Sequence, residues 1–280
     1  MERIPLAKPY WDEECERAAI DALSSGRWVK GPQAKQFGEE FAEWCGAISA
    51  VPCQSGSAAL WAAMRILDIG PGDEVIVPGM TFIATATSVS LVGATPVFAD
   101  IEEDYWCICP DDVEAKITDR TKAVIGVHIF GQTFSPRLKE ICQRHNIALV
   151  EDAAQAHGAS LDGVKAGAIG DVACFSFFPS KNMAVGGEGG MITTTRADLA
   201  EKMSRVVNHG RNNMLESVEL GTNLRMSEVS AAIGRVQLKH LEHWTKQRQE
   251  NSKSINHKTK LRENAEHACL LYTSPSPRDG

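Results

Sequence analysis

Lys181 follows Phe175-Ser176-Phe177-Phe178-Pro179-Ser180, an aromatic and nearly uncharged run, and precedes the glycine-rich Gly186-Gly187-Glu188-Gly189-Gly190. Desolvation in such surroundings disfavours the ammonium form and leaves an amine better able to attack a carbonyl carbon. Upstream, Ile147-Ala148-Leu149-Val150 reads as a buried strand with Glu151 and Asp152 at its carboxyl end. In open α/β sheets that edge is where ligands bind. A third feature, Cys53-Gln54-Ser55-Gly56-Ser57-Ala58-Ala59-Leu60, is a strand passing through small residues into a helix. N–H groups and a hydroxyl at a helix start make a phosphate cradle. It lacks the lysine of a P-loop, and no G-x-G-x-x-G follows any strand, so a nucleoside triphosphate or dinucleotide has little to bind.

Taken singly, each feature has a plain structural reading. Asp152 suits a turn or helix cap, Lys181 a lysine snorkelling from a strand end, and Ser57 an ordinary cap. Taken together, an imine-forming amine, a strand-end acid and a phosphate cradle are what pyridoxal 5′-phosphate requires.

The elements that must position these groups alternate between β-rich apolar runs and helical patterns from about residue 45 to 195. That alternation predicts an α/β fold with a mostly parallel sheet flanked by helices. Strands are expected at Ala50–Cys53, Glu74–Val77, Pro96–Ala99, Thr121–His128, Ile147–Val150, Val172–Ser176 and Gly190–Thr194. Helices are expected at Ser57–Leu67, Ile83–Val92, Asp111–Lys116, Pro136–His145 and Ala197–Val207. Before this core, Asp12–Leu23 reads as an amphipathic helix and 26–32 as a loop. After it, Ser227 suits an N-cap for a helix carrying Val229, Ala232, Ile233 and Val236 at helical spacing and running to about Asn251.

Composition narrows the class of partner. The 280 residues carry 29 Lys and Arg against 36 Asp and Glu, a formal charge of −7 without any basic run. That balance argues against nucleic acid or an anionic membrane as the main partner. No apolar stretch nears the roughly 20 residues of a membrane span, the first residues lack a signal-peptide pattern, and the expected compartment is the cytoplasm. The eight cysteines fall mostly singly among apolar residues, without a second pair at metal-ligand spacing, so they read as small buried hydrophobes and no metal site is expected.

The chain resembles the DegT/DnrJ/EryC1/StrS family of sugar aminotransferases, within fold type I of the pyridoxal-phosphate enzymes. The matching stretches are Ser55-Gly56-Ser57-Ala58-Ala59-Leu60, Gly72-Asp73-Glu74-Val75-Ile76-Val77-Pro78, Gly93-Ala94-Thr95-Pro96-Val97, Glu151-Asp152-Ala153-Ala154-Gln155-Ala156-His157-Gly158, Phe175-Ser176-Phe177 with Lys181, Gly187-Glu188-Gly189-Gly190 and Gly221-Thr222-Asn223-Leu224-Arg225-Met226. They run in family order from about residue 5 to about 250.

The resemblance implies roles residue by residue. Lys181 would hold the cofactor's aldehyde as an imine and, once released, shuttle a proton between the donor and the cofactor. Asp152 would pair with the pyridine nitrogen, Gln155 would lie near the phenolic oxygen, and Phe82 would stack on the ring. Ser57, the Ala58 amide and Ser176 would bind the phosphate, while Asn223 would reach the phosphate of a neighbouring subunit in a homodimer with shared sites. Trp28, Gly31 and Pro32 match a loop that lines the sugar pocket. His128 and His157 read as structural histidines, and Arg211 as facing either an anionic substrate or solvent.

The implied reaction moves an amino group, with glutamate as donor, to a keto group of a nucleotide-linked sugar, in polysaccharide biosynthesis. A cyclitol ketone is the alternative acceptor, and a non-catalytic sensor or regulatory module the alternative function. Lys181 stands where a dehydrating branch of the family has histidine. The resemblance further implies a large domain over 1–245 with an N-terminal arm, the start of a largely missing small C-terminal domain over 246–270, and a tail at 271–280 that reads as non-native.

Overall fold

The structure, a computed structural model, describes residues 8–259. Its first strand, β1 (Ser49–Cys53), lies at one edge of a seven-stranded sheet. In chain order there follow β2 (Glu74–Pro78), β3 (Thr95–Ala99), β4 (Thr121–Val127) and β5 (Ala148–Asp152), then a small hairpin of β6 (Ser160–Leu161) and β7 (Val164–Lys165), and finally β8 (Val172–Ser176) and β9 (Gly190–Thr194). The spatial order in the large sheet is β1-β9-β8-β5-β4-β2-β3. β8, β5, β4, β2 and β3 are mutually parallel, whereas β9 runs antiparallel to both its neighbours. Two reversals restore direction, so β1 points the same way as β8 and β5. The carboxyl ends of β1, β8, β5, β4 and β2 therefore share one edge.

Eight helices surround the sheet among the described residues: α1 (Glu13–Ser24), α2 (Pro32–Cys45), α3 (Gly56–Ile66), α4 (Ala84–Leu91), α5 (Pro110–Ala115), α6 (Arg137–His145), α7 (Ala197–Val206) and α8 (Glu228–Thr259). Because side chains alternate across a strand, each strand supplies two cores. One face gathers Val75, Val77, Ile125, Val150 and Cys174 under α3, α4 and α7. The other packs Phe175 and Met191 against Phe37 and Phe41 of α2 and Leu238 and Leu241 of α8. Beside that, Ile76, Val124 and Leu149 pack under α5 and α6 through Val113, Leu138 and Ile141. β2, β8 and β9 are buried along their whole length, as strands covered on both faces must be.

The expected strands and helices lie within two residues of those observed, except where α8 runs on past Asn251 to Thr259. The helix that the sequence does not announce is α2. It starts at Gly31-Pro32 with no side-chain cap of its own. Its cap comes from the far end of the chain: Glu228, the first residue of α8, accepts from the N–H groups of Gly31 (2.9 Å), Gln33 (2.7 Å) and Ala34 (3.2 Å). A Cβ at Gly31 would collide with the Glu228 carboxylate.

The described cysteines are free and, apart from Cys109, buried. No helix among the described residues is long and apolar enough to cross a membrane. α8 passes residues 245 and 246 without a break. The expected tail at 271–280 and residues 260–270 of the expected C-terminal start, Cys269 among them, lie outside the described residues.

Candidate active site

The strand register decides which residues meet. Cys53 stands opposite Gly190, Gly190 opposite Ser176, and Asp152 opposite Cys174. The turn after β1, the last residue of β8 and the last residue of β5 thus lie side by side at the shared carboxyl edge. Two glycines allow this closeness. A Cβ on Gly56 would come within 2.7 Å of Ser176 Cβ, and one on Gly190 would meet the Ser55 carbonyl.

At the start of α3, Ser55 is the cap, and its Oγ accepts from the Ala58 N–H at 3.1 Å. The amide assigned to a phosphate by resemblance is therefore already engaged, and a ligand would share it with Ser55. The N–H groups of Gly56 and Ser57 have no partner within the helix, and the Ser57 side chain is exposed beside them. Ser176 lies close by at 9% exposure.

Glu151 and Asp152 part company because neighbouring strand residues face opposite sides of the sheet. Glu151 is fully buried and accepts from the N–H groups of Gly167 (3.0 Å), Ile169 (2.9 Å) and Gly170 (2.7 Å), and it pairs with His128 Nε2 at 2.8 Å. Those bonds use up its acceptor capacity, so Glu151 and His128 hold the fold together. Asp152, also buried, faces α4. Its Oδ2 accepts from the Thr85 hydroxyl at 2.8 Å and its Oδ1 from the Ala154 N–H at 3.2 Å.

Burial pushes the Asp152 carboxyl up from its ordinary value, against the Thr85 and Ala154 hydrogen bonds and the positive charge of Lys181. Burial in turn pushes the half-buried Lys181 amine down, against the attraction of Asp152. Amine and acid are therefore within electrostatic reach of each other, one favoured towards its neutral form and the other in need of a cationic partner.

Gln155 accepts from the Phe130 N–H at 2.7 Å through Oε1, which leaves its NH2 as the end able to donate to a ligand. Phe130 has a left-handed backbone (φ 54), unusual outside glycine and often found at ligand sites. Phe82, after β2, is 72% exposed. Thr85 is a site residue that the sequence reading missed, although its spacing from Thr81 and Phe82 at a helix start was visible.

Asn223 is exposed, in a segment running beside the end of β1, where Leu224 O accepts from Gln54 N–H at 2.8 Å. Trp28 is exposed as well, while Gly31 and the start of α2 are held by Glu228. Arg211 is exposed, and His157 is buried between the Phe175 and Phe177 rings. The structure thus brings together Lys181, Asp152, Ser176 and the Ser57 turn. Phe82 and Gln155 come from loops at the same edge. As a donor set, hydroxyls with free N–H groups, a buried acid and a depressed amine fit a ligand carrying a phosphate, a basic ring nitrogen and an aldehyde.

Known proteins of similar sequence and fold give the family. A UDP-N-acetyl-3-dehydro-α-D-glucosamine 3-aminotransferase of Acidithiobacillus ferrooxidans is 44% identical over 220 residues, covering 78% of this chain and 60% of that protein. A dTDP-3-amino-3,4,6-trideoxy-α-D-glucose transaminase of Streptomyces venezuelae is 43% identical over 252 residues, covering 88% of this chain and 66% of that one. The chain thus spans less than two thirds of the length of these relatives. An aminotransferase of Psychrobacter cryohalolentis superimposes with a TM-score of 0.88 at 36% identity, covering 93% of this chain and 73% of that one. With residues 9–274 matching its family pattern, the chain belongs to the DegT/DnrJ/EryC1/StrS aminotransferase family.

Proposed function

We propose that this chain is the cofactor-binding part of a pyridoxal 5′-phosphate-dependent aminotransferase that transfers an amino group, with glutamate as donor, to a keto group of a nucleotide-linked sugar. The observation that carries this reading is the buried Asp152 at the sheet edge that also holds the Ser57–Ser176 cradle, with the desolvated Lys181 within its electrostatic reach. The sugar nucleotide is supported by the names of the two relatives above. We extend the proposal to a cytoplasmic homodimer in which Asn223 reaches the partner's phosphate site.

When bound, the cofactor supplies an aldehyde that condenses with amines and a ring that accepts the electron pair of a broken Cα–H bond. This chain's own residues do the rest. The Ser57 and Ser176 hydroxyls and the free N–H groups at the start of α3 bind the phosphate and fix its position. The Phe82 ring would cover one face, and the Gln155 NH2 would donate to the phenolic oxygen. Asp152, ionised, would keep a proton on the ring nitrogen, and the protonated nitrogen would in turn supply the cation that a buried carboxylate lacks. Lys181 would hold the cofactor at its aldehyde carbon and, when free, would carry a proton at Nζ. The fall in its basicity on burial keeps more of it in the neutral, proton-accepting form.

The test is covalent labelling. Borohydride treatment of the chain with pyridoxal 5′-phosphate fixes a pyridoxyl group on Lys181, located by peptide mass spectrometry, and Lys181→Ala removes it. A label that persists in Lys181→Ala, or that sits on another lysine, overturns the assignment.

A further inference from the structure

Asp152 is held by a threonine of α4. The hydroxyls of α4 at Thr87, Ser88 and Ser90 bond back to carbonyls of their own helix, the usual habit of Ser and Thr in helices. Thr85 does not. Fully buried, it crosses from α4 to the sheet and gives its hydroxyl proton to Asp152 Oδ2 at 2.8 Å.

A hydroxyl has one proton to give and two lone pairs. With its proton on Asp152, Thr85 must act as acceptor towards Thr81, whose Oγ1 lies 2.8 Å away. The bonds therefore run in one direction, Thr81 to Thr85 to Asp152, and such chains reinforce one another in a low-dielectric interior. The same turn carries Phe82, three residues before Thr85, with the Thr85 N–H bonded to the Phe82 carbonyl at 3.1 Å. One helical turn thus presents an exposed ring and a buried donor on neighbouring faces.

We propose that Thr85 is the positioning residue of the Asp152 carboxylate, fixing its rotamer and favouring its ionised form, and that the Thr81–Thr85 turn is built as one wall of the ring pocket. This rests on the reading of Asp152 as partner of the ring nitrogen. The other groups near Asp152 are Lys181, His128 and the buried Cys174 thiol on β8, while Glu151 points to the opposite face. The Ala154 N–H donates to Asp152 Oδ1, and Thr85 is the side chain that donates to Oδ2. A donor to the charged form holds it ionised, so removing that donor raises the pH at which Asp152 takes up a proton.

The experiment follows the Asp152 carboxyl resonance against pH in the full chain without cofactor, with 13C-carboxyl aspartate, the signal being assigned by its loss in Asp152→Asn. Pyridoxal 5′-phosphate affinity is measured in parallel by fluorescence titration. In Thr85→Val the titration midpoint rises by about one pH unit, and affinity falls by about tenfold, the equivalent of one unit. Thr85→Ser restores both. Thr85→Ala carries the same expectation and serves if the valine variant fails to fold. Unchanged midpoint and affinity in a folded Thr85→Val or Thr85→Ala variant overturn the proposal. Should the wild-type chain bind no pyridoxal 5′-phosphate at all, the functional reading fails instead, and the carboxyl titration still reports on Thr85.

Discussion

Glu151 and Asp152 are adjacent acids with opposite duties, and the difference is testable by substitution. Glu151→Ala orphans three buried N–H groups and the His128 ring at once. The expected loss of unfolding free energy is on the order of 3 kcal/mol, from buried hydrogen bonds to a charged group, read from urea melts. Asp152→Asn should fold well, because its amide can donate to Thr85 and the Thr81–Thr85 chain can reverse. Its effect depends on pH with a definite sign. A carboxyl raised by folding stabilises the native state only while protonated, so its contribution is present below the unfolded value near 3.8 and is lost as pH rises through the folded one. At neutral pH the variant is therefore the more stable chain, and the advantage disappears in acid. Lys181 and Asp152 were legible in the sequence because an aromatic run before a lysine and an apolar run before an acid each carry a local signal. Thr85 was not, since its partner stands 67 positions away, and nothing around a threonine in a helix tells which way its hydroxyl points.

At the scale of elements, the strands were legible because short β-branched runs bounded by Gly-Pro turns have few other uses. α2 was not, although its sequence, Pro32–Cys45, holds the buried Phe37, Gly38, Phe41, Ala42 and Cys45 on one side. Local rules look for a Ser, Thr, Asp or Asn before a helix, whereas here the cap is Glu228, 195 residues from Gln33. The backbone of the same residue also fastens the loop bearing Trp28, whose carbonyl accepts from Glu228 N–H at 2.9 Å. Glu228→Ala is expected to cost on the order of 2 kcal/mol, from the loss of hydrogen bonds to a charged group. The cost is measurable as a lower urea midpoint, and hydrogen exchange should speed up at the amides of Gly31, Gln33 and Ala34. If those amides exchange at unchanged rates, α2 is held by something other than Glu228.

For the molecule as a whole, the exposed apolar residues are unevenly placed. Met214, Leu215, Val218 and Leu220 are each more than half exposed within one short segment, 211–220. Exposed apolar residues gathered in one segment suit a binding face. We expect the chain to sediment at twice its 30.4 kDa mass, and the double variant Met214→Asp/Leu215→Asp to sediment as a monomer. A wild-type chain that stays monomeric would refute this. The reversed strand β9 also bears on the order of events during synthesis. Among the described residues β1 enters the sheet through β9 alone, and β9 spans Gly190–Thr194. A nascent polypeptide on the ribosome has already made Ser57, Phe82 and Asp152 while the strand that brings the first of them to the third is still untranslated. On the function proposed above, the phosphate cradle and the acid would meet only after most of this chain has emerged.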